Sequence, residues 1–112
     1  MSRSRRWVEE SLRSGLACEL TLRGGSMAPL LRDGDVVCVE PGAPRPGDVV
    51  VAERDGRLVT HRLVSLSDGV AVMRGDACRG DDPPLPVSAL LGRVVRVKRR
   101  SPMARLVGRL LG

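Results

Sequence analysis

The side chains whose type and setting best suit covalent chemistry near neutral pH lie far apart: Ser26 in "GGSMAPLL", His61 in "LVTHRLV", and Asp76, Asp81 and Asp82 in "RGDACRGDDPP". A serine hydroxyl is a weak nucleophile until a tight turn presents it and a neighbouring base takes its proton. Gly24 and Gly25 supply backbone freedom for such a turn, which leaves the N–H groups of Gly25 and Ser26 as candidate donors to a developing oxyanion. His61 is the chain's single imidazole and the candidate base, because that ring exchanges protons near neutrality. A carboxylate beside it would orient the ring and steady its charged form. Each residue also has an ordinary structural reading. Glycine-serine loops are common, a lone histidine on an apolar strand face packs into a core, and aspartates in turns accept bonds from nearby backbone amides.

These residues need rigid elements to bring them together, and the pattern around them is that of strands. "CELTLRG" alternates Cys18, Leu20 and Leu22 with polar partners, the period of a half-buried β-strand, and "VVCVE", "DVVVAE", "RLVTHRLVSL", "VAVMRGD" and "GRVVRVKR" follow at short intervals as further strands. In "RLVTHRLVSL" the alternation puts His61 on one face with Val59 and Leu63. "RDGR" and "SDG" are hairpin turns in which glycine tolerates positive φ. "PGAPRPGD" breaks any regular element, and "ACRGDDPPLP" reads as a rigid acidic loop. Before the strands, residues 4–16 predict a short helix with Trp7, Val8, Leu12 and Leu16 on one stripe and Gly15 at its stop. After them, residues 101–111 predict an amphipathic tail helix carrying Met103, Leu106, Val107, Leu110 and Leu111 on one side. The expected fold is mainly β: one small, coiled antiparallel sheet or partial barrel with short terminal helices, in a single domain over residues 1–112 with its core at about 18–98.

Composition narrows the function. At 112 residues the chain suits one domain. Its formal charge of +6 comes from 19 basic residues, all arginine except Lys98, against 13 acids, and is concentrated at the two ends. Such a balance can serve nucleic acid or an anionic membrane, but Trp7 is the only aromatic residue, so the stacking platforms of single-strand binding are missing and nucleic acid is disfavoured. Cys18, Cys38 and Cys78 are odd in number and form no C-x-x-C pair, which argues against a disulfide framework or a metal site and for a reducing, cytoplasmic setting. No cofactor motif is present. No apolar run reaches membrane-spanning length and the N-terminus lacks the apolar core of a signal peptide, leaving the tail as the one segment suited to a peripheral membrane or partner-protein contact.

In order along residues 18–98, "GGSMAPLLRDGDVVCVE", "RPGDVVVAE", "LVTHRLV", "RGDACRGDD" and "LLGRVVRV" resemble the conserved boxes of type I signal peptidases and the related SOS-response repressor peptidase domains. The resemblance implies a serine endopeptidase in which the serine of S-M-x-P, here Ser26, attacks a peptide carbonyl and forms an acyl-enzyme. Many bacterial members carry a lysine before an arginine as the base; His61-Arg62 looks like the histidine branch, found in endoplasmic-reticulum and archaeal-like members. In that branch the acids lie in G-D-x-x-x-x-D-D, here Gly75 to Asp82. Asp82 matches the triad acid, Asp76 the acid supporting the loop, and Asp81 is the near alternative. The substrate implied is an extended polypeptide with small residues near the cut. Many signal peptidases have a serine two residues before the nucleophile, where this chain has Gly24. Two other readings share the fold: a non-catalytic peptide-binding or regulatory module, and a self-cleaving regulator, for which "GLAC" at 15–18 lies very close to Ser26. In the peptidase reading activity falls in mild acid as the base takes up a proton.

Overall fold

The structure is a computed structural model that describes residues 5–98. The expected tail helix at 101–111 lies outside the described residues. Elements follow in the order α1 (Arg5–Arg13), β1 (Cys18–Thr21), β2 (Val36–Glu40), β3 (Val49–Arg54), β4 (Arg57–Ser67), β5 (Val70–Arg74), β6 (Leu85–Pro86), a 3-10 turn (Val87–Ala89) and β7 (Leu90–Lys98). All strands join one antiparallel sheet of order β1-β2-β7-β3-β4-β5-β6. The sheet is open, with β1 and β6 at its edges. This is the mainly β, coiled antiparallel class expected from the strand pattern.

The turns show why the strands pair as they do. Arg54 faces Arg57 across Asp55-Gly56, and Ser67 faces Val70 across Asp68-Gly69. Both central residues of each turn have positive φ, 51° and 80° in the first and 53° and 75° in the second. That is the type I′ geometry whose twist matches antiparallel strands, and Asp-Gly is among the pairs that reach it at least cost. The register shifts between Cys38 and Val39, Val51 and Ala52, and Leu63 and Ser65. Such irregularities bend and twist a sheet, and here the distant strands β1 and β4 come to face each other across a groove.

β3 lies at the centre and is buried on both faces. Val49 and Val51 pack with Val8, Leu12, Met27, Leu31, Val37, Val39 and Leu91, while Val50 and Ala52 pack with Leu63, Ala71, Met73, Leu85 and Ala89. An unbroken apolar run suits a strand with protein on both sides. The helix contributes less than its stripe suggested. Val8 and Leu12 are buried, but Trp7 is 38% exposed and Leu16, beyond the helix end, is 61% exposed. The reason is that α1 ends at Arg13 and the chain turns away at Gly15, where φ is +86°. β6 was not apparent from "DDPPLP". It is two residues long and includes Pro86, which an edge strand tolerates because no neighbour needs its missing N–H.

Candidate active site

Ser26 sits in a loop whose ends are tied together. The Leu22 N–H donates to the Asp35 carbonyl at 2.8 Å and the Gly34 N–H donates to the Leu22 carbonyl at 2.8 Å. Within it Met27 and Leu31 are buried and fasten the loop to the core. Gly24 has φ +86°, a region that strains other residues, and its N–H donates to Asp33 Oδ1 at 2.7 Å. The N–H groups of Gly25 and Ser26 donate to no acceptor among the described residues.

His61 reaches this loop from β4. Its Nε2 lies 3.0 Å from Ser26 Oγ, and its Nδ1 lies 2.5 Å from Asp82 Oδ2. An ionised carboxylate only accepts, so the ring donates from Nδ1 and leaves Nε2 as acceptor for the serine hydroxyl. The histidine and aspartate side chains are 15% and 20% exposed, close enough to solvent for a substrate to reach them and shielded enough to hold their geometry. Hydroxyl, imidazole and carboxylate therefore form one continuous chain across 56 residues of sequence, from Ser26 to Asp82.

The three aspartates separate cleanly. Asp76 accepts two bonds from Arg62, at 2.9 Å to Nε and 2.8 Å to Nη2, while Arg62 Nη1 donates to the Gly47 carbonyl at 2.7 Å. Hydrogen bonding to this guanidinium holds the Asp76 carboxyl below the usual carboxylate range and raises Arg62 in turn. Asp81 pairs with Arg74, 2.8 Å from its Nε. Asp82 alone turns to His61. Arg54 also donates to the Pro83 carbonyl at 2.5 Å, so three arginines fasten the acidic loop at Asp76, Asp81 and Pro83. Its backbone is fixed by Asp82 N–H to Met73 O at 2.7 Å and Ala77 N–H to Ser26 O at 2.8 Å. Asp76 thus touches the loop's anchor rather than the imidazole, and Asp81 contacts neither His61 nor Ser26.

Several contributors were not singled out from sequence. Arg54 and Arg74 carry no signal in the sequence beyond the general basic charge, and Arg62 stands out only as the neighbour of His61. Gly75 is a further one: a Cβ built there would lie 2.7 Å from the Ser26 carbonyl oxygen, 2.9 Å from Cys78 Sγ and 3.2 Å from His61 Nε2. Only glycine allows the loop to approach so closely. The available signal was the run of arginines spaced among acids, which sequence alone cannot pair.

Beside the chain of hydrogen bonds lies a groove of about 940 Å³ whose lining includes Glu19–Gly24, Ser26, Met27 and Leu58–His61. Among the described residues no group of three or more His, Cys, Asp or Glu side chains is placed to hold a metal ion, and no helix is long and apolar enough to cross a membrane.

The open antiparallel sheet of this small β domain thus carries a serine, an imidazole and a carboxylate in series beside a groove. The model of one family, described as Peptidase S24-like, matches residues 2–76 and so spans Ser26, His61 and Asp76 but stops short of Asp82. The chain belongs to the Peptidase S24-like family. No curated protein matches it.

Proposed function

We propose that this chain is a serine endopeptidase of the histidine branch that the signal-peptidase resemblance implies, cutting extended polypeptides through an acyl-enzyme. The single observation that carries the reading is the Ser26–His61–Asp82 hydrogen-bond chain opening onto the groove. In the first step Ser26 Oγ forms a bond to the scissile carbonyl carbon while its proton passes to His61 Nε2. Asp82 holds the ring in the competent tautomer and stabilises the imidazolium. The N–H groups of Gly25 and Ser26 face the oxyanion; the Gly24 N–H is spent on Asp33. The imidazolium then protonates the leaving amine as the C–N bond breaks. Water, deprotonated by the same ring, releases the acyl group and restores the hydroxyl.

The substrate in this reading is a polypeptide with small residues near the cut, lying as an added strand in the groove, where main-chain bonds supply affinity and side-chain pockets supply choice. A panel of peptides with small residues around the cut, incubated with the full chain and read by mass spectrometry, tests it. Ser26→Ala should abolish both cleavage and labelling by a serine-directed acylating probe, and His61→Ala should abolish turnover. Cleavage that persists in either variant ends this mechanism. Peptide binding without any turnover by the unaltered chain would instead assign a binding module on the same fold.

A further inference from the structure

The arginines around the Ser26–His61–Asp82 chain are committed to the protein itself: Arg62 holds Asp76, Arg74 holds Asp81 and Arg54 donates to the Pro83 carbonyl. Arg23 differs. It stands three residues before Ser26 and lines the groove with Gly24 and Ser26. Side chains alternate faces along an extended chain. Cys18 and Leu22 are buried while Glu19, Thr21 and Arg23 are exposed, so the alternation of β1 carries past its end and puts Arg23 in the exposed row. Among the described residues its guanidinium forms no ion pair and no side-chain hydrogen bond.

The acids nearby are spent on other partners. Glu19, also a lining residue, pairs with Lys98 Nζ; Asp33 Oδ1 accepts the Gly24 N–H; and Asp82 is bonded to His61. Apart from Glu19, Arg23 and the imidazole, every described lining residue is uncharged, and Leu20, Leu22, Val36 and Leu58 make much of the surface apolar. Walls of low polarity concentrate the field of a charge set among them. A guanidinium offers a planar fork that matches a carboxylate with two parallel bonds, and it repels a basic side chain brought to the same place. Three residues of extended chain span about 10 Å. A polypeptide extended beside residues 19–23 with its scissile carbonyl at Ser26 therefore brings a side chain about two to four residues from the cut within reach of Arg23.

We propose that Arg23 is a specificity residue that selects Glu or Asp about two to four residues from the scissile bond, making the preferred ligand of the groove an acidic peptide. The cleavage preference rests on the peptidase reading above; recognition of the acid does not. The test uses peptides with small residues at the cut that differ only in carrying Glu, Gln or Lys at each of those positions, on either side. Cleavage by the full chain is read by mass spectrometry as kcat/KM, and binding to the full chain carrying Ser26→Ala is read by fluorescence anisotropy. At one position at least, Glu should be favoured over Gln by about fivefold in both readouts, the upper range for an exposed ion pair, and the preference should fade toward about 1 M salt. Arg23→Gln should bring the ratio to about one, and Arg23→Glu should turn the preference toward Lys. Each ratio is taken within one protein, so a loss of active molecules cancels. Equal values for Glu and Gln in the unaltered chain overturn the proposal, as does a Glu preference that survives both substitutions. If nothing is cut but the binding preference stands and follows residue 23, the peptidase reading falls and acid recognition survives. If peptides are cut without preference, acid recognition falls alone; if they are neither bound nor cut, both fall.

Discussion

Gly75→Ala isolates the geometry of the candidate site in one methyl group. Gly75 does not have positive φ, so alanine adds no backbone strain and the effect comes from space alone. The new Cβ would meet the Ser26 carbonyl oxygen at 2.7 Å and Cys78 Sγ at 2.9 Å. The cysteine side chain is exposed and can rotate away. The carbonyl has less freedom, because the Ala77 N–H holds it at 2.8 Å and Met27, the next residue, is buried. Relief therefore moves the Ser26 backbone by about half an ångström, and since a misplacement of about 1 Å costs on the order of 10²-fold in rate, kcat/KM should fall by roughly tenfold or more. Overpacking of this kind costs about 1–3 kcal/mol of stability. Peptide cleavage and the rate of acylation by a serine-directed probe read the first effect, and the urea midpoint reads the second. Gly80→Ala is the control: it lies in the same loop, has no positive φ and nothing within 4 Å of its added Cβ, so it should leave both unchanged. A Gly75→Ala chain with cleavage and acylation rates within twofold of the original would refute the placement of this loop against Ser26.

Asp82→Asn keeps the shape but presents an amide that no longer selects the Nδ1-protonated ring, and kcat should fall by about 10³–10⁴-fold, measured at saturating peptide; Asp81→Asn, at a residue paired with Arg74, should leave kcat within a fewfold. The depressed Asp76 carboxyl contributes stability that is fully present above its ordinary value of 3.8 and is lost as pH falls through the lower folded value. Urea midpoints taken from pH 6 down to pH 2 should drop in that window, and Asp76→Asn should flatten this part of the profile. Gly24→Ser should destabilise by about 1–2 kcal/mol, because a side chain is forced to positive φ, despite open space around it; an unchanged thermal midpoint would contradict the φ of +86° at that position.

Much of the sheet could be read from residue types because its signals are local. Asp55-Gly56 and Asp68-Gly69 dictate their turns through positive φ, and the valine run of β3 announces a strand covered on both sides. The helix limit was less legible, since Leu16 continues the apolar spacing of Val8 and Leu12 and only the turn at Gly15 removes it from the core. The imidazole stands out by scarcity, and the serine by its place directly after two glycines. Which aspartate meets the imidazole did not follow from spacing, because the answer depends on Arg62 and Arg74 claiming Asp76 and Asp81 first. Those pairs form across neighbouring strands and loops, and nothing in a linear sequence of many arginines says which one faces which acid. The departure at Gly24 also acquires a local cause: the position needs positive φ and its N–H serves Asp33, so a serine hydroxyl there would come with strain.

The division of the interior by β3 has a mechanical consequence. Ser26 is anchored through Met27 and Leu31 to one apolar layer, whereas β4, which carries His61, reaches that layer only at its start through Leu58 and the other layer through Leu63, and the loop that carries Asp82 is tied to Met73 of that second layer and, at Ala77, to Ser26 itself. The hydroxyl and the imidazole meet at the seam where these two layers adjoin. A slight shift of the Ser26 loop against β4 would lengthen that contact while every strand stays paired. Warming the protein should silence the seam first and melt the sheet only later.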